Sequence, residues 1–138
     1  MALITWQSEY ELGIAEIDNQ HKKIVEIINR LFEMFSTHKL QDEAGLTQIL
    51  KELTDYADYH FTTEEKYFEA FKYPQAAGHI EMHNNYRTKI EEFKTQFATA
   101  KDEAIFFNLT NFLQDWWIWH INNLDREYVP LFKENGVK

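Results

Sequence analysis

Cysteine is absent from the 138 residues, which removes thiolate chemistry, iron–sulfur clusters and cysteine-based zinc sites and suits a reducing compartment. Glycine and proline are scarce, four and two, too few for the turns of a small all-β domain. Basic residues are outnumbered, 14 Lys and Arg against 23 Asp and Glu, for a net charge of −9. Such a chain repels phosphate, so no nucleic acid is expected as a partner. No run of apolar residues is long enough to span a bilayer, so no membrane insertion is expected. The start, Met1-Ala2-Leu3-Ile4-Thr5-Trp6, lacks the basic stretch of a secretory leader, and a cytoplasmic location is expected. Aromatic residues, by contrast, reach 16%, so the core must be rich in rings.

The length suits a single domain, 1–138. Residues 1–17 read as an irregular arm that Trp6, Tyr10, Leu12, Ile14 and Ile17 pin to a core. Asp18 is then the expected N-cap of a first helix. Its apolar stripe, Ile17, His21, Ile24, Val25, Ile28, Leu31, Phe32 and Phe35, follows helical spacing and ends near Thr37-His38-Lys39. A second helix starts near Asp42, with the seam Leu46, Leu50, Leu53, Ala57, His60 and Glu64. A third begins around Pro74, a residue tolerated in a first turn, with the seam His79, His83, Tyr86, Ile90, Phe93 and Phe97. Asp102 caps a fourth, with the seam Phe106, Leu109, Leu113, Trp116 and His120. Pro130 limits the segment 122–138 to a short C-terminal helix. Short connections make sequential helices antiparallel, so the expected fold is all-α, an up-down-up-down four-helix bundle over 18–121.

These seams contain residues that an ordinary bundle core does not. His21, His60, Glu64, His79, His83 and His120 stand where Leu or Ile is normal, and buried polar groups must be satisfied. His60 and Glu64 are four apart, as are His79 and His83, so each pair shares a helix face. His120 and Asp125 are five apart, which an unbroken α-helix would rotate away from each other, so the helix is expected to end or loosen between them. In antiparallel topology all seven groups fall at the same end of the bundle. Imidazole and carboxylate without thiolate suit iron, zinc, copper or manganese. Seven ligands exceed the four of one zinc, whereas two six-coordinate ions sharing both carboxylates use all seven. With one bridging solvent oxygen, a single position stays open. The neighbours Ile24, Phe61, Trp116, Trp117, Ile121 and Leu124 then line a small, dry pocket suited to dioxygen.

The run Trp6…Tyr10…Gly13-Ile14…Ile17-Asp18-Asn19-Gln20-His21, with His60-Phe61-Thr62-Thr63-Glu64-Glu65, His79…His83 and His120-Ile121…Asp125, resembles the hemerythrin family and its single-domain bacterial branch. The likeness spans Trp6 to about Pro130. It implies two iron ions (Fe2+/Fe3+) with a bridging oxo or hydroxo group, His79, His83 and His120 holding one and His21 and His60 the other, bridged by Glu64 and Asp125. It implies reversible dioxygen binding, as a carrier or store and not an enzyme, at the iron of His21 and His60. Trp117 departs from the smaller aliphatic residue frequent in related proteins, which bears on pocket volume. A sensing module and a di-iron oxidase or peroxidase are the alternative readings, although the carboxylate-rich oxidase sites differ from five His and two carboxylates. A monomer is expected, with an oxygen-consuming enzyme as the delivery partner to look for. His38 is read as a solvated helix-end residue, and Glu65 and Glu81 as surface charges.

Overall fold

The computed structural model describes residues 2–37, 42–100 and 102–138. Among these described residues five α-helices follow in order: α1 Ala15–Ser36, α2 Glu43–Phe71, α3 Ala76–Thr99, α4 Glu103–Trp119 and the short α5 Val129–Glu134. A single 3₁₀ turn, Ser8–Tyr10, interrupts the arm, and a π-helical segment, His120–Asp125, continues α4. His38 lies outside the described residues. No helix among the described residues is long and apolar enough to cross a membrane.

Local chemistry explains most of the boundaries. Asp42 accepts a hydrogen bond from the Gly45 amide (3.0 Å) and Asp102 from the Ala104 amide (2.8 Å), each satisfying a donor left over at a helix start. Pro74 precedes α3 instead of entering its first turn, because Lys72 turns the chain sharply in the left-handed region (φ 56°) and Gln75 becomes the N-cap. The expected cap at Asp18 is corrected: the N-cap is Ile14, four residues earlier, and α1 begins at Ala15. The Asp18 carboxylate faces back into the arm, accepting from the amides of Leu12 (2.8 Å) and Gly13 (3.1 Å). It therefore ties the arm to the first turn. Pro130 sits in the first turn of α5.

α1 packs on α2 and α4, and α3 packs on the same two, closing an antiparallel bundle. Leu31, Leu53, Leu109 and Leu113 are wholly buried, each contributing on the order of 1.5–3 kcal/mol by leaving water. The seams of α2 and α3 are buried at every expected position. On α4, Trp117 is fully buried and Trp116 only half-buried, since positions three and four beyond Leu113 both fall near one face.

The apolar core divides in two. One cluster runs from Leu31 and Leu109 down to Ile24, Phe61 and Trp117. The other joins Leu12, Ile14 and Ile17 to Phe68, Tyr73, Tyr128 and Phe132, so arm, α2 and C-terminal helix close that end. The Lys138 carbonyl accepts from the Ala15 amide (3.1 Å), tying the segment after α5 to the start of α1. Between the two apolar clusters lies a polar layer.

Candidate metal centre

Every element of the bundle supplies the polar layer. His21 comes from α1, His60 and Glu64 from α2, His79 and His83 from α3, and His120 and Asp125 from the two ends of the π-helical segment. The i→i+5 repeat of that segment is the loosening expected between His120 and Asp125. It turns both side chains to the bundle axis, with His120 Nε2 2.9 Å from Asp125 Oδ1. Six of the seven are completely buried, and His79 is 3% exposed.

The five rings point their Nε2 atoms inward. Asp125 Oδ2 lies 2.7 Å from His21 and 3.6 Å from His60, while Oδ1 lies 2.9 Å from His79 and from His120. Glu64 Oε1 is 3.2 Å from His60 and 3.2 Å from His83. Most of these approaches are not hydrogen bonds. His60 Nε2, His83 Nε2, both Glu64 oxygens and Asp125 Oδ1 are buried with no hydrogen-bond partner among the described residues. Unsatisfied buried polar atoms cost free energy, and a cluster of them on facing groups is one that a bound cation would satisfy. Imidazole nitrogen and carboxylate oxygen are the right donors for one. The donor atoms fall into two sets, each within 4.8 Å: Glu64, His79, His83, His120 and Asp125, and His21, His60, Glu64 and Asp125. Both carboxylates belong to both sets.

Charge within the layer is mutually stabilised. Burial pushes the Asp125 carboxyl up, but His120, His21 and His60 around it hold it well below the ordinary carboxylate range. Burial and the neighbouring Asp125 work against charge on Glu64, and His60 and His83 outweigh them and lower it. Burial opposes charge on His83 too, yet Glu64 and Glu65 raise it to about 9. Burial lowers His120. The Tyr128 hydroxyl is buried without a hydrogen-bond partner among the described residues, and burial with the Glu64 and Asp125 charges pushes it well above its usual range.

Around the layer, Ile24, Phe61, Trp117 and Ile121 are fully buried, and Trp116 and Leu124 half-buried. Phe61 stacks on His83 (centroids 4.0 Å apart, planes at 12°) and on Trp117 (5.6 Å, 13°). Trp116 stacks on His120 (4.3 Å, 11°) while also lining an open surface cleft of about 900 Å³ with Tyr10, Phe112 and Trp119.

Two contacts lie outside the sequence reading. Gln20 Oε1 is 2.6 Å from His60 Nδ1, and Glu65 Oε2 is 2.7 Å from His83 Nδ1. Glu65 is thus corrected from a surface charge to a half-buried partner of a core histidine, whereas Glu81 is exposed as expected. Both contacts join residues on different helices, so no spacing within one helix signals them.

Fold and site together define a four-helix bundle with a buried His and carboxylate centre able to bind metal. Residues 12–132 match the family model of the hemerythrin HHE cation binding domain. The bacteriohemerythrin of Clostridium acetobutylicum is 31% identical over 128 residues, covering 92% of this chain and 99% of its own. That of Pseudomonas aeruginosa is 33% identical over 135 residues, covering 98% of this chain and 85% of its own. A crystal structure of wild-type hemerythrin aligns with a TM-score of 0.81 at 26% identity, covering 94% of this chain and 98% of that one. The chain belongs to the hemerythrin family.

Proposed function

We propose that this chain binds dioxygen reversibly at a non-haem pair of irons, as a carrier or store and not as an enzyme. The observation that supports this reading is the set of buried, unbonded donor atoms on His60, His83, Glu64 and Asp125. His79, His83 and His120 would hold one iron, and His21 and His60 the other. Glu64 and Asp125 would join the two, beside an oxo or hydroxo bridge. Two ferrous ions held in this way would supply the electrons for capture of dioxygen.

The chain's own residues do the rest. Asp125 turns one oxygen to each side of the centre, so a single carboxylate serves both positions. Ile24, Phe61, Trp117 and Ile121 keep water away from the centre, where it would promote loss of the bound gas. Tyr128 keeps its proton, because burial and two nearby carboxylates disfavour the phenolate. A centre walled by rings, with Tyr128 nearby as an acid that gives up its proton reluctantly, favours release of dioxygen over cleavage of its bond.

The test is a cycle. Iron-loaded, reduced protein is exposed to oxygen and then to oxygen-free gas, with iron counted per chain and colour followed. Two irons per chain and colour that appears and disappears over repeated cycles support the reading. Steady oxygen consumption with a reductant, and no return to the colourless form, gives the oxidase reading instead.

A further inference from the structure

We infer that Gln20 and Glu65 are positioning residues that make the two metal positions unequal, an uncharged amide acting through His60 and a carboxylate acting through His83. This rests on the metal assignment proposed above. A metal-bound imidazole uses one nitrogen on the metal, and the partner of its other nitrogen sets the ring's orientation and donor strength.

On the α1–α2 side, Gln20 is buried and its amide orientation is determined. Its Nε2 donates to Thr63 Oγ1 (3.3 Å), whose hydroxyl donates to the Tyr59 carbonyl (3.0 Å). Gln20 Oε1 is therefore the atom facing His60, so His60 Nδ1 carries the proton and Nε2 presents its lone pair to the centre. On the α2–α3 side, Glu65 accepts from His83 Nδ1 and likewise frees Nε2, but here the acceptor carries a charge. Arg87 offsets that charge only in part. Its Nη1 is 3.5 Å from Glu65, while it also donates to Asp58 (2.9 Å) and Asn84 (2.8 Å). Its guanidinium lies 5.1 Å over Phe61, the ring stacked on His83. By contrast, His21 and His120 have buried Nδ1 atoms with no partner among the described residues.

An anionic acceptor draws the Nδ1 proton toward itself and makes the imidazole a stronger donor, which favours Fe3+ over Fe2+ on that ring's metal. The amide does so far less. The metal of His79, His83 and His120 is therefore the harder to reduce, and in the half-reduced protein it is the ferric one. The metal held by His21 and His60 would then be the ferrous one.

The experiment uses the iron-loaded full chain and the variants Gln20→Glu and Glu65→Gln, both close in size to the original residue. Each is titrated anaerobically with redox mediators, each metal taking one electron from the mediator. The two potentials, the paramagnetic resonance of the half-reduced state and the iron content are all recorded. Losing the Glu65 charge is expected to weaken the ferric preference at its metal about tenfold, raising that potential by roughly 59 mV. Gln20→Glu is expected to lower the other potential by a similar amount, and the double variant to move the ferric ion across the centre and change the resonance. Two irons bound with equal or no shifts overturn this inference and leave the oxygen-binding reading standing. A wild type that does not hold two irons overturns both. Should a variant fail to take up iron, wild type loaded with zinc decides the matter by proton resonance. The Nδ1 proton of His83 must lie further downfield than that of His60, and equal positions overturn the inference.

Discussion

His120 and Asp125 meet at 2.9 Å across five residues because the helix widens between them. Five residues make about 1.4 turns of an α-helix and would separate the two side chains around the axis. The π-helical repeat returns them to one face. Such segments occur where function demands a local departure from regular hydrogen bonding, and here the departure delivers a carboxylate to a layer of imidazoles.

The widening can be tested by changing its length. Asn123 is exposed, so its removal disturbs no core contact. The deletion leaves His120 and Asp125 four apart, the spacing that His60 and Glu64 already use in α2. Metal uptake, measured by elemental analysis, should survive with the segment converted to regular α-helix. An alanine inserted after Asn123 puts the pair six apart, and uptake should fall sharply. The reverse pattern would refute the geometric account.

Trp117 is fully buried between Phe61, Tyr86 and His60. Trp117→Ala should cost about 3–5 kcal/mol of stability, the usual loss for truncating a large buried ring. It should also shorten the life of the oxygenated colour, because water gains a path to the centre. Denaturant unfolding and the decay of colour check the two effects separately.

Metal-free protein should lose stability at alkaline pH. The folded-state value of His83 is raised to about 9 against an ordinary 6.5, despite the opposing effect of burial, by Glu64 and Glu65. A raised value means that its contribution is fully present below about 6.5 and is lost as the pH climbs through 9. Metal-loaded protein has no proton to lose at His83 Nε2, so its melting temperature should hold over the same range. Melting curves of chelated and loaded samples between pH 6 and 10 are the comparison, and parallel curves would contradict the prediction.

Asp18→Ala should detach the arm without unwinding α1. Its carboxylate accepts from the Leu12 and Gly13 amides, and Leu12 is buried, so the loss leaves an unpaired donor at a cost of about 1–3 kcal/mol. Circular dichroism should stay helical while the Leu12 amide exchanges faster with solvent. A helix that unwinds instead would restore Asp18 to the role of an N-cap.

Much of the molecule was legible in order of residues alone. The alternating three- and four-residue steps through Leu46, Leu53 and His60, and through His83, Ile90 and Phe97, define one buried face per helix, because a helix repeats every 3.6 residues whatever surrounds it. Short connections make the helices antiparallel, and that alone carries His21, His60, Glu64, His79, His83, His120 and Asp125 to one end of the bundle. The five-residue gap after His120 also announces that the helix must loosen there.

The tertiary structure decided what periodicity does not encode, namely the rotation of each helix against its neighbours and the reach of each side chain. Trp116 and Trp117 are both compatible with the α4 seam and both touch Phe61 and Tyr86, and only the rotation of α4 in the bundle, which lays Trp117 parallel to Phe61 and beside His60, buries Trp117 completely. Asp18 has the chemistry of a helix cap, and the path of the arm turns it to Leu12 and Gly13 instead. Glu65 lies beside the seam of α2 and looks solvated until α3 places His83 within 2.7 Å of it, and Gln20 acquires its role only when α2 presents His60. These partners come from different helices, so their pairing is a property of three-dimensional proximity, which no spacing along one helix can carry.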